Sequence, residues 1–207
     1  MRAPERNRRG FAFASLCAAL VVVIAVLPAS AENADYRVFP NGTAYLAAVQ
    51  IEDVSRYEFA DTGVIGEQIP FDAGNVHLDG RACSNCSFTW SGSSTILFDR
   101  GNYTISYVGP VHENHVQAFY DSPYNVTVVL PQEFDVRNPL LAGISPGANV
   151  TRYPDNTTSV RWEGVTSIDL RFYDQAHEQL LYLFGNVWIF LAILVIVSYL
   201  ISERNKE

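Results

Sequence analysis

A chain of 207 residues with 14 basic and 22 acidic side chains carries a net charge of −8 and has room for one sizeable core. The imbalance sits in residues 32–179, where 19 acids face 8 arginines and no lysine, a net of −11. Such a surface repels phosphate, which argues against nucleic acid and anionic lipid as partners.

The first segment is a leader. Arg2, Arg6, Arg8 and Arg9 precede an apolar run over 11–27, and Ala29-Ser30-Ala31 supplies the small-x-small pattern that a signal peptidase accepts. The reading is a signal peptide over 1–31, cut after Ala31, with a retained anchor as the alternative. Either puts the arginines inside and the middle of the chain outside. Arg8-Arg9-Gly10-Phe11 also fits the core of a twin-arginine signal, although adjacent arginines are common in ordinary leaders. Cys17 lies mid-run behind a bulky Leu16, which a lipoprotein cysteine does not tolerate.

Residues 32–41 read as a loose lead-in. Strand patterning then dominates. Tyr45, Ala47, Val49 and Ile51 alternate along 43–54. Residues 94–98 follow the same logic, Asp99-Arg100-Gly101 reads as a turn, and Tyr103, Ile105 and Tyr107 alternate against Asn102, Thr104 and Ser106. Residues 115–120 and 124–130 read as two strands joined by Asp121-Ser122-Pro123. Pro131, Pro139, Gly143, Pro146 and Gly147 around Leu140-Leu141 predict a long structured loop over 131–147. Residues 149–153 and 158–162 flank a hairpin turn at Pro154-Asp155-Asn156, and Ile168, Leu170 and Phe172 face inward along 165–173. Strands at about ten-residue spacing predict an all-β, Ig-like β-sandwich over 32–174, with two small sheets meeting near Gly109 as the alternative.

Asp174 is a good N-cap, and a helix follows at once, without a Gly, Ser or Pro hinge. The apolar stretch over 180–201 is about 33 Å long as a helix, enough to cross a hydrocarbon core of about 30 Å. Tyr182, Trp188 and Tyr199 sit toward its two ends, where rings prefer the headgroup zone. The reading is a membrane-proximal and transmembrane helix over 175–201 with a cytoplasmic tail over 202–207. Gly185 beside Asn186 could support helix association, or Asn186 could be a wet amide at the outer interface.

Asn41, Asn85, Asn102, Asn125, Asn149 and Asn156 each precede Ser or Thr at the second position with no proline between, which makes them N-glycosylation acceptors. Any single one can go unused, but the surplus favours an exported, glycan-carrying protein. Cys83 and Cys86, spaced C-S-N-C, read as a disulfide forming a local clip. A redox role requires a helix N-terminus, and the surrounding residues read as turn and strand. A metal site would draw on His112, His115 and His77 as well as the cysteines, whereas loop histidines are commonly just exposed. Asp72, Asn75 and Asp79 read as solvated turns rather than a calcium loop. Gly143-Ile144-Ser145-Pro146-Gly147 fits the hydrolase pattern G-x-S-x-G, but Pro146 and the residues after it forbid the helix that chemistry needs. The tyrosines and phenylalanines, with Trp90 and Trp162, suit either a core or a sugar platform.

The carboxyl half resembles an uncharacterised group of archaeal exported proteins with a C-terminal membrane anchor. The resemblance lies in Asn125-Val126-Thr127-Val128-Val129-Leu130-Pro131, Asn138-Pro139-Leu140-Leu141, the 143–147 motif, Val160-Arg161-Trp162-Glu163, Phe172-Tyr173, and Leu180-Leu181 with Phe184-Gly185 and Trp188. It implies topology and a surface role, and no activity. The expectation is therefore a single-pass protein of the cell membrane, bulk outside and C-terminus inside. It acts as a structural or protein-interaction module, with a membrane-protein or cell-envelope partner, no cofactor and no catalysis. The alternatives are a ligand-binding module for a glycan or metal, and a redox protein using Cys83 and Cys86.

Overall fold

The structure is a computed structural model that describes residues 31–63, 67–81 and 83–204. The leader reading and the last three tail residues lie outside them. The chain is mostly β-sheet with one C-terminal apolar helix. The strands are β1 (Glu32–Val38), β2 (Ala44–Glu58), β3 (Ala60–Thr62), β4 (Gln68–Pro70), β5 (Gly74–Gly80), β6 (Thr89–Trp90), β7 (Thr95–Pro110), β8 (His115–Leu130), β9 (Phe134–Asp135), β10 (Gly143–Ile144), β11 (Asn149–Arg152), β12 (Thr158–Arg171) and β13 (Tyr173–Asp174). The helix is α1 (Gln175–Arg204).

The hydrogen bonds run through one nine-stranded sheet, β10-β12-β8-β1-β2-β7-β5, with β11 on β12 and β6 on β7. Two short ribbons, β13-β9 and β3-β4, complete the pairing. The 32–41 segment is not loose. Ala34, Tyr36 and Val38 are buried at alternate positions, and β1 pairs antiparallel with β2 and parallel with β8. The two expected turns within the sheet are also absent as turns. β7 runs through Asp99-Arg100-Gly101, and β8 runs through Asp121-Ser122-Pro123.

Those two places are bends. The β8–β12 ribbon starts beside the β1–β2 turn, where Leu130 pairs with Thr158. Its other end returns to the same place. There the Phe172 amide donates to the Asn114 carbonyl at 3.0 Å, and the Val111 amide donates to the Thr43 carbonyl at 2.9 Å, next to the first residue of β2. The Phe134 and Phe172 rings meet edge-on at 4.9 Å. Gly42, at φ 68°, lies so close under Phe134 that an added Cβ would sit 2.5 Å from the ring. A strand of 16 residues can end where it began only by folding over, and the register shifts between Trp162 and Ser167 mark where it does so.

The β2–β7 ribbon folds over in the same way. Its register shifts lie between Ile51 and Arg56, with Asp53 at φ 54°. Beyond the bend, Phe59 packs 4.9 Å from Tyr107, which pairs with Ala47 in the first half of the ribbon. A first layer is thus formed by the straight halves of β12, β8, β2 and β7 with β1 and β5. The folded-over arms form a second layer. The core lies between them, around Trp162, Phe59, Leu78, Ile96, Ile105 and Ile168.

Helix α1 follows β13 directly. The Asp174 carboxylate accepts from the His177 amide at 2.9 Å and also meets the His177 ring. Backbone and side chain of His177, in that order, hold the Asp174 carboxyl below the usual carboxylate range. Over Gln175–Tyr199 the helix is long and apolar enough to cross a membrane, and none of its most apolar window is buried against the rest of the protein.

Candidate functional site

The site follows from one unequal strand. β1 begins at Glu32, level with the bends in its neighbours β2 and β8, and does not fold over with them. Among the described residues no ladder joins the two folded-over arms. The second layer therefore has a slot above β1, with β3 lying against β8. The slot is a cavity of about 780 Å³, within the size range of small-molecule sites.

Tyrosines line its depth. Tyr36, Tyr45, Tyr107 and Tyr124 point in from β1, β2, β7 and β8 at alternate strand positions, and Tyr57 and Tyr120 come from the arms. The Tyr36 and Tyr120 hydroxyls are 2.9 Å apart, and the Tyr124 hydroxyl donates to the Gln50 carbonyl at 2.7 Å. The Tyr120 and Tyr124 rings stack at 4.3 Å, and Tyr36 meets Tyr45 edge-on at 5.4 Å. Burial, then the neighbouring tyrosines, raises Tyr36 and Tyr107 well above the usual phenol range. Burial, then Glu32, does the same for Tyr124. These hydroxyls stay protonated at any physiological pH and remain donors.

The rim is acidic. Glu32, Glu52, Asp53, Glu58, Asp61 and Asp121 are set against Arg56 and Arg100. Both arginines are engaged: Arg100 grips Asp53 at 2.6 and 2.7 Å, and Arg56 meets Glu58 at 2.8 Å. Arg100 holds the Asp53 carboxyl below its usual range, through the hydrogen bond first and the charge second. The cavity thus presents neutral hydroxyls inside and net negative charge at the mouth, chemistry that suits a polar or cationic guest and repels an anion. The slot opens at the Glu32 end of β1, roughly 20 Å of extended strand from the end where α1 leaves.

The sequence-derived candidates are dispersed. Cys83 and Cys86 are at disulfide distance, with Cα atoms 5.5 Å apart. They clip the loop after β5, where the Cys86 amide donates to the Leu78 carbonyl and the Gly80 amide to the Cys83 carbonyl. Strand β6, and not a helix, follows them. Asn41, Asn85, Asn102, Asn149 and Asn156 are exposed. Asn125 is half-buried, with its side-chain Oδ1 accepting from the Gly164 amide at 3.2 Å. All but Asn85 lie on strands or turns of the first layer or its β11 edge. Asn186 is exposed on α1, and nothing stands within 4 Å of a Cβ at Gly185. His77 sits on β5, and Asp79 accepts from the Asn85 amide at 2.9 Å. Among the described residues no three His, Cys, Asp or Glu side chains converge as a metal site requires.

Ser145 has neighbours that its motif did not suggest. His115 Nε2 lies 3.0 Å from Asp169, whose other oxygen accepts from Gln117 at 2.6 Å. The Ser145 amide donates to the Asp169 carbonyl, and its Oγ accepts from the Asp169 amide at 3.1 Å. The hydroxyl is therefore bonded to backbone, with the imidazole directed at the carboxylate. Ser145 follows the two-residue β10 on the sheet edge and precedes no helix, so the strand–turn–helix elbow is missing. The pairing of β12 with β8 makes this cluster, and nothing local in sequence signals it.

A second unsignalled cluster braces the helix junction. Asp135 on β9 pairs in register with Tyr173. Its carboxylate accepts from Arg137 Nε at 2.9 and 3.0 Å, from the Val136 amide at 2.7 Å and from Arg152 at 3.2 Å. Burial pushes the carboxyl up, but the Arg137 side chain and the two backbone amides outweigh it, and the net shift is downward. A depressed carboxyl adds stability above the unfolded pKa of about 3.9, and that stability is lost as pH falls through the folded value. Asp135→Asn is expected to cost about 1–2 kcal/mol at pH 7. Thermal melts from pH 7 down to pH 2 should show the gap to the parent protein closing as Asp135 protonates.

The family match begins at the first residue of β1. The chain belongs to DUF5803, a family of unknown function. The match covers residues 32–205, taking in the cavity, the Cys83–Cys86 clip and α1, and so the amino half as well as the carboxyl half. No curated protein matches the chain.

Proposed function

We propose that this protein is a single-pass, glycosylated cell-surface protein of archaeal type. Its β-sandwich of Ig-like kind stands outside the cell and acts as a structural or protein-interaction module close to the bilayer, without catalysis. The observation that carries the reading is the unpacked apolar surface of α1, joined to β13 with no linker. A helix this long and apolar, packed against nothing else in the chain, suits a lipid surround. The doubled-over sheet supports the sandwich, and five exposed acceptor asparagines support glycosylation. The leader directs the domain outward and is cut after Ala31, at the residue before β1.

Chemical crosslinking in native membranes tests the interaction role. Recovery of one protein partner in stoichiometric yield is the expected result, and recovery of the uncrosslinked chain alone contradicts it. Intact mass measured on the same material reports glycan occupancy.

A second reading is favoured by the tyrosine-lined cavity: a module that binds a small polar or cationic ligand there. Titration of the full-length protein with neutral sugars, organic ammonium ions and carboxylates, followed by tyrosine fluorescence, tests it. Saturable binding that Asp121→Asn weakens supports this reading, and no binding of any class removes it.

A further inference from the structure

We propose that the turn over 138–142 is a lipid-contacting finger that seats the sheet domain on the outer leaflet through Leu140. The proposal rests on α1 being a membrane span. Leu140 is 78% exposed, more than any other large apolar residue among the described residues of the sheet domain, the next being Phe119 at 56%. Its exposure comes from a structured turn. The Asn138 side chain accepts from the Leu140 amide at 3.1 Å, and the Asn138 carbonyl accepts from the amides of Leu141 and Ala142 at 3.0 and 2.9 Å. A leucine held outward by three hydrogen bonds meets a partner with little ordering cost.

Covalent geometry says which partner. The Asn138 amide donates to the Tyr173 hydroxyl at 3.2 Å, and Tyr173 is two residues before α1. The turn then leads into β10, where Gly143 pairs with Arg171 at the same end of the second layer. The first leucine of the apolar stretch, Leu180, is seven residues past Tyr173, about 10 Å along a helix. The headgroup zone on each side of a bilayer is roughly 5–7 Å deep. A span that begins near Leu180 therefore holds the Tyr173 backbone roughly 3–5 Å outside that zone, near enough for a turn bonded to the Tyr173 hydroxyl to reach it with the leucine at its tip.

The distribution of glycan acceptors agrees. None falls between Asn125 and Asn149, so the whole 131–148 segment is free of them. Asn41 and Asn156, the two acceptors in turns at this end of the molecule, belong to the first layer. The domain thus rests on the end of its second layer and keeps its sugar-bearing side in water. The net acidic surface makes a zwitterionic leaflet the compatible one.

The test uses the full-length chain carrying Cys17→Ala, with a single added cysteine labelled by an environment-sensitive fluorophore, in phosphatidylcholine vesicles. Labels are compared at Leu140→Cys, at Leu194→Cys in α1 and at Leu46→Cys, which is 40% exposed on the outer face of the first layer. The expected result is blue-shifted emission at position 140, quenched more by a nitroxide near the headgroup than by one deep in the acyl chain. Position 194 should show the opposite order, and position 46 should emit as in water. Water-like emission at 140 with normal deep quenching at 194 overturns the finger and leaves the span standing. Absence of quenching at both 140 and 194 removes the span and the finger together. Blue-shifted emission at 140 that no lipid nitroxide quenches shows a protein cover, and overturns the proposal as well.

Discussion

Trp162→Ala is expected to lower the melting temperature of the protein by roughly 10 °C, from a loss of about 3–5 kcal/mol. Trp162 is fully buried and is the largest side chain in the core. It pairs with Val126 just before the first register shift in β12, where the ribbon begins to fold over. Its indole N–H donates to the Ser145 carbonyl at 3.2 Å, so the ring also ties the β10 edge to the sheet. Alanine leaves a cavity at the bend and orphans that carbonyl. The rest of the bend cannot collapse into the space, because β8 and β12 stay paired on both sides of it. Differential scanning calorimetry of the full-length protein in detergent reads the loss. Trp162→Phe keeps most of the volume and forfeits the hydrogen bond, and so should recover more than half of it.

The double variant Leu191→Arg/Leu194→Arg is expected to move the protein from the membrane pellet to the soluble fraction. Both leucines lie near the middle of the apolar stretch and are about half exposed, touching no part of the sheet domain that the substitution could disturb. An arginine near the centre of a span costs about 2.5–3.5 kcal/mol, so the pair costs roughly 5–7 kcal/mol. The sheet domain should melt as in the parent protein, which separates lost insertion from lost folding. Alkaline carbonate extraction followed by immunoblotting of pellet and supernatant is the measurement. Retention of the double variant in the pellet would mean that something other than α1 holds the protein there.

How much of this was legible in sequence depends on the range of the interaction. Alternation of Tyr45, Ala47, Val49 and Ile51, and of Tyr103, Ile105 and Tyr107, identifies inward faces because strand geometry imposes it locally. The Asp174 cap is equally local. The segments Asp99-Arg100-Gly101 and Asp121-Ser122-Pro123 carry real turn chemistry, but the paired strand bulges at the same level and the chain bends without leaving the sheet. Asp53, the left-handed residue of one bend, is held by Arg100 and Asn102 across the ribbon, a pairing 47 and 49 residues away in sequence. β1 escaped notice because it is short and half of its pairing is parallel, to a strand that starts 77 residues after β1 ends. The cavity inherits that blindness. Tyr45 and Tyr107 are visible as inward residues, but Tyr36 lies in the segment that reads as loose, and the convergence of the tyrosines depends on β1 beginning at Glu32 while β2 and β8 fold over. The His115–Asp169 and Asp135–Arg137–Arg152 clusters are likewise products of register.

Protease added to right-side-out vesicles containing the full-length chain tests the central claim most directly. If α1 spans the bilayer with the sheet domain outside, digestion removes the epitopes in 32–174 and leaves a protected fragment that carries α1 and the C-terminal tail. Survival of the sheet domain in sealed vesicles, with digestion only after detergent is added, would place it on the other side and contradict the account.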